Sequence, residues 1–186
     1  MKRASILLLL LAWAGCASAA PHVAFFDVPE AIVLGDPGRS SVALAVTTDG
    51  WSTSITRSLS SRLDVTVTTN AQTLFAPSAR LLVVRDLLPL NVMTEIGVER
   101  ITLASTLFLG PVHVGFGRRW GTSASRWGIV QHAFCQTATL LLGLDERFGS
   151  LGPILGLRLH PGSTRLWGLS AIVTRDGLRL TLGGTL

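Results

Sequence analysis

The sequence predicts an all-β protein: an antiparallel up-and-down meander of about ten to twelve short strands, closed into a barrel. Three observations carry this. From Ser41 onward, apolar residues recur at every second position, the period of a strand with two unlike faces. Short turn signals follow each run, so successive strands are antiparallel neighbours. A long meander has two open edges, and closure removes both.

The elements follow in order. SVALAVTT puts Val42, Leu44 and Val46 on one face. Asp49-Gly50 then reads as a two-residue hairpin with both residues at positive φ. WSTSITRS returns with Trp51, Thr53 and Ile55 together, and after Ser60-Ser61 the run LSSRLDVTVTT sets Leu63, Val65 and Val67 against Asp64, Thr66 and Thr68. Residues 70–79 read as a loop, and 79–88 as a short strand with a short helix as the alternative. A second hairpin turns at Glu99-Arg100. PVHVGFGRRW sends Val112, Val114 and Phe116 one way and His113, Gly115 and Gly117 the other. RWGIVQHAF and TATLLLGLD flank a tight turn near Cys135-Gln136, and residues 145–151 read as a loop. PILGLRL, a turn at His160-Pro161-Gly162-Ser163, TRLWGLSAIVT, the turn Arg175-Asp176-Gly177 and LRLTLGGTL complete the chain.

The N-terminus reads as an export signal over residues 1–19: Lys2 and Arg3, the apolar run Ile6 to Leu11, then Ala17-Ser18-Ala19 for cleavage before Ala20. The apolar run is too short for a membrane-spanning helix, which needs about 20 residues. Ala14-Gly15-Cys16 resembles the end of a bacterial lipobox, with Trp13 where that pattern carries Leu, so lipidation at Cys16 stands beside ordinary cleavage. Residues 20–40 form an irregular arm with a short strand near Val23 to Phe26, and 41–186 the β domain. Cys135 is the only cysteine beyond the signal, so the fold holds without an internal disulfide. Beside Phe134 it reads as a small packed hydrophobe.

Charged residues are 15% of the chain, against roughly 25% in an ordinary soluble domain. Apart from Lys2 every basic residue is Arg, and the formal charge of +5 includes two charges in the signal. No basic cluster or motif points to nucleic acid. The more polar strand face holds Gly, Ala, Ser and Thr with scattered charges, whereas the other is Val, Leu, Ile and Phe almost throughout. That is the pattern of a barrel whose apolar face meets lipid and whose small polar face lines a narrow interior. Glu95, His113, His132, Arg158 and Arg179 are then the candidate lumen-lining residues. Trp51, Trp120 and Trp127, at strand ends, are candidates for an interfacial aromatic girdle.

SLSSRLDVTV, GVERITLAST and the terminal LRLTLGGTL resemble the turn-and-strand repeats of small bacterial outer-membrane β-barrels, over roughly Ser41 to Leu186. In that group the last residue is normally Phe or Trp; here it is Leu186. The resemblance implies an outer-membrane barrel with a structural or narrow-pore role, seated in outer-membrane lipid and inserted by the barrel-assembly machinery. Several strands look only seven or eight residues long, below the roughly 9–11 a spanning strand needs. This keeps open a soluble or lipid-anchored periplasmic β-sheet protein that binds an apolar ligand or a partner protein.

The sequence shows no motif for catalysis, metal or cofactor. There is no Gly-x-Ser-x-Gly elbow, phosphate loop or clustered ligand set. The four histidines lack ligand spacing, and Glu95 and Glu99 read as solvated or Arg-paired side chains. Arg118-Arg119 reads as a charged strand end, with an anionic headgroup as the functional alternative. Gly115, Gly117, Gly143, Gly156 and Gly168 fall inside strands, where a missing Cβ permits close packing.

Overall fold

The computed structural model describes residues 37–185, apart from 71–72, 88–89, 99, 122–123, 136 and 160–166. The expected signal, the lipidation at Cys16, the strand near Val23 to Phe26 and the turn at His160 lie outside the described residues. Twelve strands are present among those described: β1 (Ser40–Thr47), β2 (Gly50–Ser60), β3 (Leu63–Asn70), β4 (Ala76–Leu87), β5 (Leu90–Gly97), β6 (Arg100–Leu109), β7 (Val112–Gly121), β8 (Ser125–Cys135), β9 (Ala138–Arg147), β10 (Ser150–Leu159), β11 (Trp167–Thr174) and β12 (Gly177–Thr185). Each pairs antiparallel with its sequence neighbours, and β12 pairs with β1 to close the barrel. Closure runs through Leu182↔Leu44 and Leu180↔Val46, so the terminal LRLTLGGTL is the closing strand.

Alternation along each strand now has a direction. Leu178, Leu180 and Leu182 are exposed on the outer wall, while Arg179 and Thr181 of the same strand face the interior. Leu44, Ile55, Ile101, Leu144 and Leu155 continue the outer apolar surface around the barrel. The inner positions of β1 to β3 are small and polar: Ala43, Ser54, Thr56, Ser58 and Thr66 are buried, and Thr56 and Thr66 share a 2.8 Å hydroxyl hydrogen bond. A soluble sheet with its apolar faces turned inward is therefore not the arrangement adopted. An apolar exterior around a polar interior is the order of a membrane barrel.

One sector of the interior is apolar. Leu82, Met93, Ala104, Trp127, Ile129, Leu141, Ile154 and Ile172, from β4 to β11, form one buried cluster. Glycines on the facing strands make room for it. At Gly143 a Cβ would lie 2.4 Å from the Gly128 carbonyl oxygen, and at Gly117 it would lie 1.9 Å from the Trp127 ring. Small-beside-large is how a narrow barrel fills its interior.

Several local expectations are corrected. The stretch from Ala76 is strand β4, with no helix, and it shortens the expected loop at 70–79. Residues 145–151 are mostly strand, and only Phe148-Gly149 turns between β9 and β10. Thr47 pairs with Gly50, so the first hairpin turns on Thr48 and Asp49, and neither has positive φ. β2, β4, β8 and β10 run to 10–12 residues, whereas β1, β3, β5 and β11 have the eight that the sequence suggests for several strands. In the longer strands the ladder runs to the last residue before the turn, as at Arg147 and Ser150.

Phe148 has φ 52° and Gly149 φ 76°, the backbone of a type I′ hairpin, which a bulky first residue resists. Phe148→Asn should stabilise the barrel by about 0.5–1 kcal/mol, since Asn accepts this region readily. The check is the urea unfolding midpoint in vesicles, where an unchanged or lower midpoint would mean that the exposed ring contributes more than the turn geometry costs.

Candidate functional site

The inner wall opens into a basin at the rim opposite the one where β1 begins and β12 ends. Its volume is about 260 Å³. On one side stand the small residues of β1 to β3: Ala43, Ala45, Ser52, Ser54, Thr66 and Thr68. On the other stand Arg80 of β4, Glu95 of β5, Arg100 of β6, Arg119 of β7 and Arg147 of β9, with Arg179 of β12 completing the ring. Five guanidiniums and one carboxylate thus line a single recess. The cause is strand parity: each of these residues falls on an inward position near the same end of its strand.

Glu95 is buried and organises one side. It sits directly across from Arg80, 3.9 Å away, and accepts a hydrogen bond from the Arg100 guanidinium at 3.0 Å. Arg80 also has Asp64 as its direct partner on β3. Arg147 is held by Asp145 at 2.6 Å and by Asp176 in the next hairpin turn. The Arg119 guanidinium lies 5.9 Å from the centre of the Trp127 ring. The carboxylates therefore sit against Arg80, Arg100 and Arg147, and the recess as a whole carries positive charge. A concave, low-dielectric wall of one sign focuses its field into the opening.

Below the basin the interior is filled by side chains. Met93 and Leu141 are fully buried, Asp64 is 1% exposed, and Arg158 donates to the Gln131 amide oxygen at 3.1 Å with both residues buried. Inward side chains therefore crowd the lumen beneath the arginines.

The candidates from the sequence divide. Glu95 and Arg179 line the basin. Arg158 points inward beneath it, and His113 points inward near the other end, edge-on to Phe108 at 4.7 Å. His132 does not join His113. Its direct partner is Val112, on the outer face, and it packs edge-on against Phe134 at 4.8 Å. RWGIVQHAF carries polar residues at both parities, so the more polar face was the wrong guide. Trp51 and Trp120 are exposed on the outer wall near the basin rim. Trp127 is corrected from girdle to interior: it is 8% exposed and belongs to the inner apolar cluster. Trp167, exposed at the opposite rim, was not singled out. Cys135 is exposed at the end of β8, its sulfur 3.2 Å from the Thr137 hydroxyl, and is not a packed hydrophobe. Among the described residues no group of three or more His, Cys, Asp or Glu could hold a metal ion.

Arg80, Arg100, Arg119 and Arg147 are the basin residues the sequence reading missed as a set. Their signal is partial: Arg100 falls on the parity opposite to Ile101 and Leu103, whereas Arg80 shares its parity with the inward Leu82 and Arg147 with the inward Leu141.

No protein-family model matches the chain, and no curated protein matches it. Solved structures do. KdgM porin superposes with a TM-score of 0.52 at 11% identity, over 79% of this chain and 97% of that one. A structure of KdgM porin in complex with disordered oligogalacturonate superposes with a TM-score of 0.53 at 12% identity, over 79% and 97%. The outer membrane protein Omp33 of Acinetobacter baumannii gives a TM-score of 0.45 at 8% identity, over 80% and 96%. At these identities the KdgM likeness establishes a shared barrel fold.

Proposed function

We propose that the chain is an outer-membrane β-barrel, non-catalytic, that admits small anions through a narrow passage entered at the arginine basin. The observation that carries this reading is the ring of five arginines facing one recess inside a barrel whose outside is apolar. The outer surface suits lipid, and the recess suits a solute with negative charge. Outer-membrane lipid is then the solvent of the outer wall, and the barrel-assembly machinery is the partner during insertion, with β12 the strand that closes the barrel.

KdgM, the neighbour in fold, was solved with oligogalacturonate, a chain of acidic sugars. An acidic oligosaccharide is accordingly the larger solute to try after chloride. A purely structural barrel is the second reading. The side chains packed beneath the basin favour it, because Met93, Leu141 and the Arg158–Gln131 pair fill inward positions there.

Planar-bilayer recording of the purified, exported chain in a steep KCl gradient tests the proposal. Small conductance steps are expected, with a reversal potential on the chloride side. Membrane-seated protein that gives no steps would remove the passage and leave the structural reading, and a reversal potential on the potassium side would remove the anion preference.

A further inference from the structure

Outward-facing charge is sparse on this barrel, and two of the outward arginines are neighbours. Arg118 of β7 and Arg126 of β8 are direct cross-strand partners. Side chains so placed have Cβ atoms about 5 Å apart, and like charges directly opposite each other repel. Arg118 and Arg119 are adjacent in sequence, yet strand parity sends Arg119 into the basin and Arg118 to the lipid side.

The surroundings neutralise only part of this charge. Arg126 donates to the Glu146 carboxylate at 3.2 Å, and Glu146 is its partner on β9, on the side away from Arg118. The Arg118 guanidinium lies 5.2 Å from the centre of the Trp120 ring, a contact that orients it without cancelling its charge. A recess of about 190 Å³ opens here, lined by Arg118, Trp120, Arg126, Glu146 and Phe148 among others. Toward the middle of the barrel the same wall turns apolar: Phe116 precedes Arg118 on the outer face, Leu103 is its partner on β6, and both are exposed.

We infer that Arg118 and Arg126 hold the phosphate of an anionic membrane lipid against the outer wall. A lipid phosphate supplies negative charge at the boundary between apolar chains and water, where this pair stands. Two guanidinium forks can bind its oxygens together, relieving their mutual repulsion. Its acyl chains then lie over Phe116 and Leu103, a component that free phosphate lacks. The inference rests on the barrel's seat in a membrane and is independent of any ion passage.

Native mass spectrometry of the exported protein, folded in detergent, tests it. The probes are phosphatidylglycerol and phosphatidylcholine of equal chain length at equal concentration. The intact protein should retain phosphatidylglycerol about tenfold over phosphatidylcholine, from two arginines near an anionic headgroup. Arg118→Gln with Arg126→Gln should bring the two lipids to parity. Arg57→Gln, an outward arginine on β2 away from this pair, should keep the preference. Excess inorganic phosphate should leave the bound lipid in place. Unheated gel mobility confirms that each variant is folded. Equal retention of both lipids by the intact protein, or an undiminished preference in the double variant, overturns the site. Displacement by inorganic phosphate would also overturn it, by reducing the site to one for the free anion. Retention of neither lipid overturns the membrane seat as well, which separates the two failures.

Discussion

Barrels carrying Arg119→Glu and Arg179→Glu together should lose their preference for anions. The two positions are chosen by their contacts. Arg80 and Arg100 lie against Glu95, so a carboxylate at either would face another carboxylate. Arg147 ties Asp145 to Asp176 and so holds neighbouring hairpins together. Arg119 and Arg179 face the recess from the opposite walls β7 and β12. Exchanging both leaves three guanidiniums and three carboxylates lining the recess, with Asp64, Asp145 and Asp176 already set against Arg80 and Arg147. The field that concentrates anions at the mouth then vanishes, and the anion-to-cation permeability ratio should fall about tenfold at low salt. Arg119→Lys with Arg179→Lys should keep the preference, because field and not guanidinium shape sets it. The contrast should shrink as salt rises and the screening length drops below roughly 10 Å. The measurement is the reversal potential across a series of KCl concentrations. An unchanged potential in the glutamate variant would place the selecting charge elsewhere in the lumen.

Period two in SVALAVTT, RLDVTV and LRLTLGGTL was enough to read an antiparallel meander and its closure, because a two-faced strand needs two environments. It was not enough to say which environment is wet. That depends on curvature: the same alternation closes with Leu outward here and inward in a soluble barrel. Where the interior itself is apolar, alternation fades. In RLLVVR, Leu82 belongs to the inner cluster while its neighbours Leu81 and Val83 are exposed on the outer wall, so both faces are apolar and a helix looked possible. Trp127 was misread for the same reason, since an aromatic near a strand end is common to a girdle and to a packed interior. The arginine basin was hidden by turn composition. Arg100 and Arg147 sit beside turns rich in Glu, Gly and Ser and were assigned to them, yet each is the last or first inward residue of a strand. Convergence of distant strand ends on one recess is a property of the closed register, which no single strand displays.

The Gly117–Trp127 pair offers the sharpest test of how the interior is filled. The two residues are direct cross-strand partners, and the indole ring lies over the bare glycine. Gly117→Ala places a methyl group within the ring, so the ring must leave its place in a buried cluster. The expected cost is about 2–3 kcal/mol, the range for overpacking. Trp127→Leu should cost about as much, by opening a cavity beneath Arg119. The loss is moderated because the buried indole N–H has no acceptor among the described residues. Combined, the changes should compensate, as the alanine methyl occupies part of the space the ring vacates. The double variant should therefore be more stable than the sum of the singles by about 1–2 kcal/mol. Urea unfolding in vesicles, followed by unheated gel mobility, measures all four corners of the cycle. Gly128→Ala is the internal reference: its Cβ meets only the Phe116 ring edge at 3.9 Å, an ordinary contact, and should change stability by less than about 1 kcal/mol. Additivity within about 0.5 kcal/mol would mean that the ring does not rest on Gly117, and that this inner apolar sector is looser than the register implies.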